Sequence, residues 1–389
     1  MVYIKILMVH PHDIYSENEP WTIRIISLAH EFTKKGHEVK LVYFPLGKSH
    51  RGKLRIPKIK EYETIPFVRS QRYFLRNIKR MVKLGKWADV IHFQKCFPNA
   101  AIPALFSAYL NKKPIHYDWD DWEYGIYMWK PESILYSKYL NILEKTIPKL
   151  VDSVSVASEE LRMMAQSLGI KNKTIIKVNV CADINKFKPS NKKELIKKKY
   201  SLNTKTVLYL GQLHGAQYAE QLINAIPLII KSISDVKFLL VGGGTELSRL
   251  KVLSKNLGVY NSVIFTGFVN SDKVTEYLAV SDVAVACFAD TKQVKCKSPL
   301  KIAEYMASGK AIVASNTGEV PWMLGNAGIL AEPGNIDDLA KQIISLLTND
   351  KKVKVLEKAA RKRAEEHFSW TIVSDRLLSK YSEIAGLSY

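Results

Sequence analysis

Cysteine is sparse in this 389-residue chain: four residues, at 96, 181, 287 and 296, with no paired spacing. That excludes a disulfide framework and a zinc ribbon, and it fits a reducing cytoplasm. The opening MVYIKILMVHPHD has no charged leader, and its apolar run is too short for a signal peptide. The most apolar stretch, Cys96 to Leu110, is interrupted by Pro98 and Pro103 and falls short of a bilayer, so no membrane span is expected. Repeats and low-complexity tracts are absent.

Acid is also scarce. Against 58 Lys and Arg stand 37 Asp and Glu, a formal net charge of +21. Such a field favours nucleic acid, acidic lipid head groups or phosphorylated substrates. A generally lysine-rich proteome gives the same figure. The imbalance is densest from Gly47 to Lys86, where 13 basic residues face only Glu61 and Glu63. Within it, Arg72–Lys86 sorts at the helical period. Phe74, Leu75, Ile78, Met81 and Val82 fall on one side, and Arg72, Arg76, Lys79, Lys83 and Lys86 on the other. Such a helix either lies on an anionic membrane or faces a core with a solvated back.

Alternating strands and helices fill the rest. Tyr3–His10, Glu38–Phe44, Asp89–Phe93, Pro114–Tyr117, Ser153–Ala157 and Thr174–Val178 read as strands, with helices at Trp21–Lys35 and Pro98–Leu110. After a basic linker, Lys186–Lys199, a second series has strands at Thr206–Leu210, Val236–Val241, Val263–Phe265, Val283–Phe288, Ala311–Ser315 and Gly328–Ala331. Its helices are Ala219–Ser232, Glu246–Leu257 and Asp337–Leu347. Repeated βα units predict parallel sheets covered on both faces. The expected architecture is α/β: two tandem Rossmann-like domains, about residues 1–190 and 200–370, facing each other across a cleft.

The most informative stretch is Cys296 to Ser315. Ser298-Pro299 suits a helix start, Leu300, Ile302, Ala303 and Met306 recur at helical spacing, and Gly309 ends the run before the strand Ala311–Ala314. A helix start with Lys301 beside it suits a phosphate, and Glu304 suits sugar or ribose hydroxyls. An ordinary crossover with solvated charges fits the same residues. Asp118-Trp119-Asp120-Asp121-Trp122 follows a strand, where Asp holds hydroxyls or accepts a proton and Trp stacks on a sugar ring. A polar turn is the plain alternative.

Taken in order, several landmarks resemble the retaining glycosyltransferases of family 4, the glycogen-synthase-like transferases with the GT-B fold. They are Val207–Gly211, Leu240–Gly244, Phe265-Thr266-Gly267, Ser281–Val285, SPLKIAEYMASGKAIVAS, Gly328-Ile329-Leu330 with Pro333-Gly334, and, outside the second domain, Gly36–Val39, Asp183–Pro189 and Phe368-Ser369-Trp370. The resemblance implies a nucleotide-diphospho-sugar donor in the second domain and a glycan or polyprenyl- or lipid-linked acceptor in the first, which a C-terminal helix over 371–389 completes. It assigns Glu304 to the ribose, and Ser298, Leu300, Lys301, Gly211, Gln212, Gln217 and Gly243 to the donor. Asp120, Asp121 and Lys301 become the catalytic candidates, and His10, His12, Asp13, Asp118 and Trp119 acceptor-side candidates. No metal or other cofactor is implied. The product class is surface polysaccharide or glycoconjugate, made in the cytoplasm or at the inner face of the cytoplasmic membrane, which Arg72–Lys86 would touch.

Departures accompany it. The family's first glutamate, eight positions before Glu304, is Cys296 here, and the basic pair after Gly211 becomes Gln212 and Gln217. Lys292, Lys295 and Lys297 are nearby cations that could replace that charge. A catalytically weak or inactive relative that binds sugar nucleotide or glycan fits these departures. A dehydrogenase rests only on Gly242-Gly243-Gly244, without a G-x-G-x-x-G at the first strand. Nucleic-acid binding has charge but no recognised module, and is not expected.

Overall fold

A computed structural model describes residues 3–15, 19–46, 61–191, 193–214 and 218–387. They form two compact α/β units. The first gathers the chain up to Val180, Cys296–Ser298 and the stretch from Trp370 onward; the second holds Cys181–Lys295 and Pro299–Ser369.

The first unit is built on β1 (Lys5–Val9), β2 (Glu38–Tyr43), β3 (Glu63–Pro66), β4 (Val90–Gln94), β5 (Ile115–Trp119), β6 (Ser153–Val156) and β7 (Ile175–Lys177). Their order is β3-β2-β1-β4-β5-β6-β7, and every pairing is parallel. Helices α1 (Pro20–Lys34), α2 (Phe74–Gly85), α3 (Pro98–Asn111), α4 (Glu123–Tyr127), α5 (Ile134–Thr146) and α6 (Glu159–Ser167) make the crossovers. Local chemistry sets their ends. Pro20 and Pro98 occupy first-turn positions, and Ser133 and Ser158 accept the Tyr136 and Leu161 N–H groups. The strand order reverses between β1 and β4, so the crevice for a ligand lies outside their C-terminal ends.

The second unit has β8 (Lys205–Leu210), β9 (Val236–Val241), β10 (Val263–Gly267), β11 (Val283–Ala286), β12 (Ala311–Ser315) and β13 (Ile329–Ala331) in the order β10-β9-β8-β11-β12-β13, again all parallel. Its helices are α7 (Glu194–Tyr200), α8 (Ala219–Ser232), α9 (Leu247–Asn256), α10 (Val274–Ala279), α11 (Lys292–Lys295), α12 (Leu300–Ala307), α13 (Val320–Leu324), α14 (Ile336–Leu347) and α15 (Asp350–His367). Its switch point falls between β8 and β11. The chain ends with α16 (Trp370–Ala385), which packs in the first unit: Tyr381 meets Phe32 of α1 edge-on, and Lys35 donates to the Thr371 carbonyl at 2.9 Å.

Several elements go beyond expectation, among them strand β3 in the stretch read only as a charge block, α7 in the supposed linker, and the 18-residue α15. The basic helix also resolves in one direction. Met81 and Gly85 of α2 press on α3, where a Cβ on Gly85 would come within 2.0 Å of Ser107 Oγ. The core-facing alternative therefore describes α2. Leu75, expected on the apolar side, is 73% exposed, and Asn77 takes a buried place by donating to the Val68 carbonyl at 2.8 Å. Most of the basic segment before it, residues 47–60, lies outside the described residues.

Candidate active site

In the first unit, the ends of β1, β4 and β5 bring His10, Gln94, Lys95 and Asp120 together. Gln94 bridges the set: its Oε1 accepts from His10 Nδ1 (2.8 Å) and its Nε2 donates to Asp120 Oδ2 (2.9 Å). Lys95, in the left-handed region at φ 64°, turns its buried ammonium onto three carboxylates. Asp120 lies at 3.0 Å, Asp121 at 3.5 Å, and Glu123 in direct contact, while Trp21 presents its ring at 4.9 Å. Burial works against the ammonium, but the three acids outweigh it and hold Lys95 well above its usual range. Burial pushes Asp120 up to about 6 and Glu123 up to about 8, with Lys95 opposing both. One cation for three acids leaves the cluster retaining a proton near neutrality. Asp121, a quarter exposed, is the member that solvent reaches.

Several acceptor-side candidates are corrected here. Asp118 is fully buried in a bidentate pair with Arg24 (2.7 Å to each nitrogen) and accepts from Ser155; all its acceptor sites point into the core. Trp119 is buried too, its indole N–H donating to Glu144 at 3.0 Å, so it has no free face for a sugar. His10 is buried, and desolvation lowers it to about 3, leaving it neutral. His12 stays partly open, 3.5 Å from Glu19 and stacked at a tilt on Trp21 (4.7 Å between centroids). Asp13 accepts the Tyr15 N–H at 3.0 Å. Gln94, Lys95 and Glu123 escaped the sequence reading, although the residues just beyond a parallel strand at a reversal of order are where such groups belong.

In the second unit the glycine turns do the positioning. Gly211 and Gly242 adopt φ 148° and 146°, and a Cβ on Gly242 would lie 1.8 Å from the Gly211 carbonyl oxygen. Gly243 accepts the Leu213 N–H at 2.9 Å, fixing the second turn against the first. Helix α12 is tied to both switch-point strands by Tyr305, which accepts the Leu210 N–H (2.8 Å) and donates to the Val285 carbonyl (3.3 Å). One turn earlier, Lys301 donates to Tyr209 Oη at 3.2 Å and stands 4.3 Å over that ring. Glu304 shares this helix, half-buried, and desolvation lifts it to about 7 against the pull of Lys186 and Lys301. Leu300 begins the helix, and Gln212 is exposed beside His214 (3.1 Å).

Ser298 does not cap α12: its hydroxyl accepts the Val180 N–H at 3.1 Å, and the residue belongs with the first unit. Cys296 is likewise buried in the first unit's core, its thiol 3.7 Å from Met164 Sδ, a setting with no room for a carboxylate. Lys295 is engaged with Asp290 at 3.0 Å. Gln217 lies outside the described residues. Among the described residues, the group with metal-ligand spacing is Asp120, Asp121 and Glu123, into which Lys95 already points.

Residues 191–363 match the model of glycosyl transferases group 1, and residues 22–180 that of glycosyltransferase family 4. The chain belongs to these glycosyltransferases. It is 28% identical over 193 residues to N-acetyl-alpha-D-glucosaminyl L-malate synthase of Bacillus anthracis, covering 49% of this chain and 48% of that one. It is 23% identical over 301 residues to alpha-monoglucosyldiacylglycerol synthase of Streptococcus pneumoniae, covering 75% and 66%. The match thus spans about half to two-thirds of these relatives. A glycosyltransferase from Rickettsia africae shares the fold at a TM-score of 0.76, with 20% identity over 99% of this chain and 100% of that one. Structures of this kind are GT-B glycosyltransferases, and the two parallel-sheet units here have that fold.

Proposed function

We propose that this glycosyltransferase moves a sugar, with retention of anomeric configuration, from a nucleotide-diphospho-sugar to a glycan or lipid-linked acceptor, in glycoconjugate or surface-polysaccharide synthesis. The observation that carries this is the pairing of Lys301 and Glu304 on one helix at the switch point of the second unit, beside two backbone-tight glycine turns. A carboxylate there accepts from ribose hydroxyls, and an ammonium stabilises the diphosphate as the glycosyl C–O bond breaks and its electrons leave with the phosphate. The first unit takes the acceptor. Asp121 receives the acceptor hydroxyl and takes its proton as the hydroxyl oxygen bonds to the anomeric carbon, while Lys95 holds Asp120 and Glu123 beside it. No metal is assigned to the step, because Lys95 supplies the cation that this carboxylate cluster needs.

The Streptococcus relative is named for a diacylglycerol product, which supports an acceptor at a membrane, here its cytoplasmic face. No described helix is long and apolar enough to cross a membrane, and the cations of α2 supply attraction to an anionic surface instead. Flotation with anionic liposomes is expected at low salt and weakens as salt rises. A second reading, a relative that binds sugar nucleotide without turnover, is favoured by Cys296 at the family's glutamate position.

Thermal shift with UDP, GDP, ADP and NAD, on the wild type and Glu304→Ala, decides the donor site. One nucleoside diphosphate is expected to raise Tm in the wild type and not in the variant. Stabilisation by NAD alone, or by none, overturns the assignment. Turnover of the matching nucleotide sugar then separates the enzyme from the silent relative.

A further inference from the structure

Helix α5 carries more apolar surface outward than a helix that meets only water needs. It buries Ser137 and Glu144 beside Leu140, while Ile134, Leu135 and Ile142 are 72%, 80% and 61% exposed. Just before it, Met128 and Trp129 are exposed as well, Trp129 by 55%. Apolar residues scattered singly on a surface need no account, but a cluster on one hairpin, on a helix that hides a glutamate, marks an interaction surface.

The charges around the cluster select the occupant. Lys130, Lys138 and Lys145 are exposed within it, against Glu132 as the only exposed acid from Glu123 to Thr146. Helix α2 contains no acid at all, and its outward Arg76, Lys79, Arg80 and Lys83 lack an apolar face of their own because α3 has taken it. Right-handed crossovers put α2, α3 and α5 on one side of the sheet. A two-fold contact between copies would set these lysines against themselves. An anionic bilayer meets both needs: phosphates for the lysines, and an interface for Trp129 and the aliphatic side chains.

We propose that the α4–α5 segment is the inserting part of a membrane-docking surface, with α2 as its charged flank, and that the occupant is the head-group region of an anionic bilayer. This deepens the membrane part of the preceding proposal and is independent of the donor. The test uses the full chain and vesicles of phosphatidylglycerol with phosphatidylcholine, some carrying brominated acyl chains. Wild-type protein is expected to bind, with fluorescence quenched by the brominated lipid. Leu135→Ser/Ile142→Ser should weaken binding tenfold or more, and Trp129→Phe should remove much of the quenching. The melting temperature and circular dichroism of both variants should stay close to those of the wild type, which shows that they are folded. Binding that survives the double substitution but is lost in Arg76→Glu/Lys79→Glu overturns the insertion while keeping the α2 attraction. Binding in no case overturns both. A wild-type dimer that the double substitution splits, with no vesicle effect, makes the occupant a second copy and overturns the lipid.

Discussion

Lys95 Nζ lies 3.0 Å from Asp120 Oδ1, both residues at most 4% exposed, at the point where β4 and β5 leave the sheet. Neither charge is tolerable there alone. The Asp120–Asp121–Glu123 loop holds its shape because one ammonium faces all three acids. Lys95→Met removes that cation and leaves buried carboxylates unpaired. Urea unfolding at pH 7 is expected to show a loss of about 3–5 kcal/mol. An unmoved midpoint would mean that the acids are already protonated and the lysine is incidental.

Asp118 and Asp121 stand three residues apart and should fail in different ways. Asp118 is locked to Arg24, whose Nη1 also donates to the Val178 carbonyl at 2.9 Å, so Asp118→Asn is expected to cost about 3–5 kcal/mol of stability. Asp121→Asn should leave the melting temperature within a degree or two, as surface changes do, and lower turnover at saturating donor. Urea midpoints and steady-state rates on the two variants separate the roles. Equal stability loss in both would remove Asp121 from the acceptor site.

His10, His92 and His116 of the first unit are fully buried and neutral. Desolvation lowers His92 to about 4, His116 well below its usual value, and His10 to about 3. His92 stacks on His116 and meets Tyr381 Oη at 2.6 Å, so the pair also fastens α16 to the sheet. The folded values lie below the unfolded value of about 6.5, so the unfolded chain binds more protons between them. Their stabilisation is complete above pH 6.5 and is lost as pH falls towards 4, each contributing up to about 1.4 kcal/mol per pH unit. The raised carboxyls Asp120, Glu123 and Glu144 pull the other way over part of that window. The difference in pH slope between the wild type and His92→Phe isolates the histidine. Identical slopes would mean that His92 is not neutral in the folded chain.

The alternation of strands and helices was legible because parallel strands buried on both faces are nearly continuous apolar runs, as in KILMV and VKFLLV. The second unit's glycine turns and the α12 helix were legible for a related reason: a φ near 146° at Gly242, or a carbonyl within 2 Å of a would-be Cβ, restricts the residue type. The first unit's site was not. Asp118 and Asp120 look alike in a loop motif, and only the partner 94 residues away, Arg24, makes one of them structural. Long-range pairing of that kind leaves no periodic trace. Ser298 reads as a helix cap for the same reason, until Val180 claims its hydroxyl.

The glycine turn gives a prediction confined to the second unit. In Gly242→Ala the added methyl meets the Gly211 carbonyl oxygen, which is backbone and does not rotate away, at a φ that alanine rarely adopts. A cost of at least about 1–3 kcal/mol is expected, with weaker nucleotide binding because the first turn is displaced. Gly258→Ala, at φ 69° but with open space around it, carries the strain of the backbone alone and serves as the control. Similar losses of nucleotide affinity in both would detach the turn from the donor site.

Glu304 should make nucleotide affinity depend on pH near neutrality. Burial raises it to about 7, so Glu304 changes its protonation state near neutrality in the free protein. The carboxylate is the form that accepts from two ribose hydroxyls. The affinity for the nucleoside diphosphate that stabilises the wild type should therefore rise as pH passes upward through 7. Below that value it should fall towards tenfold per pH unit, if only the carboxylate binds. The phosphate of the ligand titrates in the same range, so the informative quantity is the difference from Glu304→Gln, which keeps the shape of the side chain and cannot ionise. Calorimetric titrations at pH 6, 7 and 8 on both proteins give it. A wild-type curve parallel to that of the glutamine variant would take the ribose away from Glu304 and leave Lys301 as the donor-side residue still to be tested on α12.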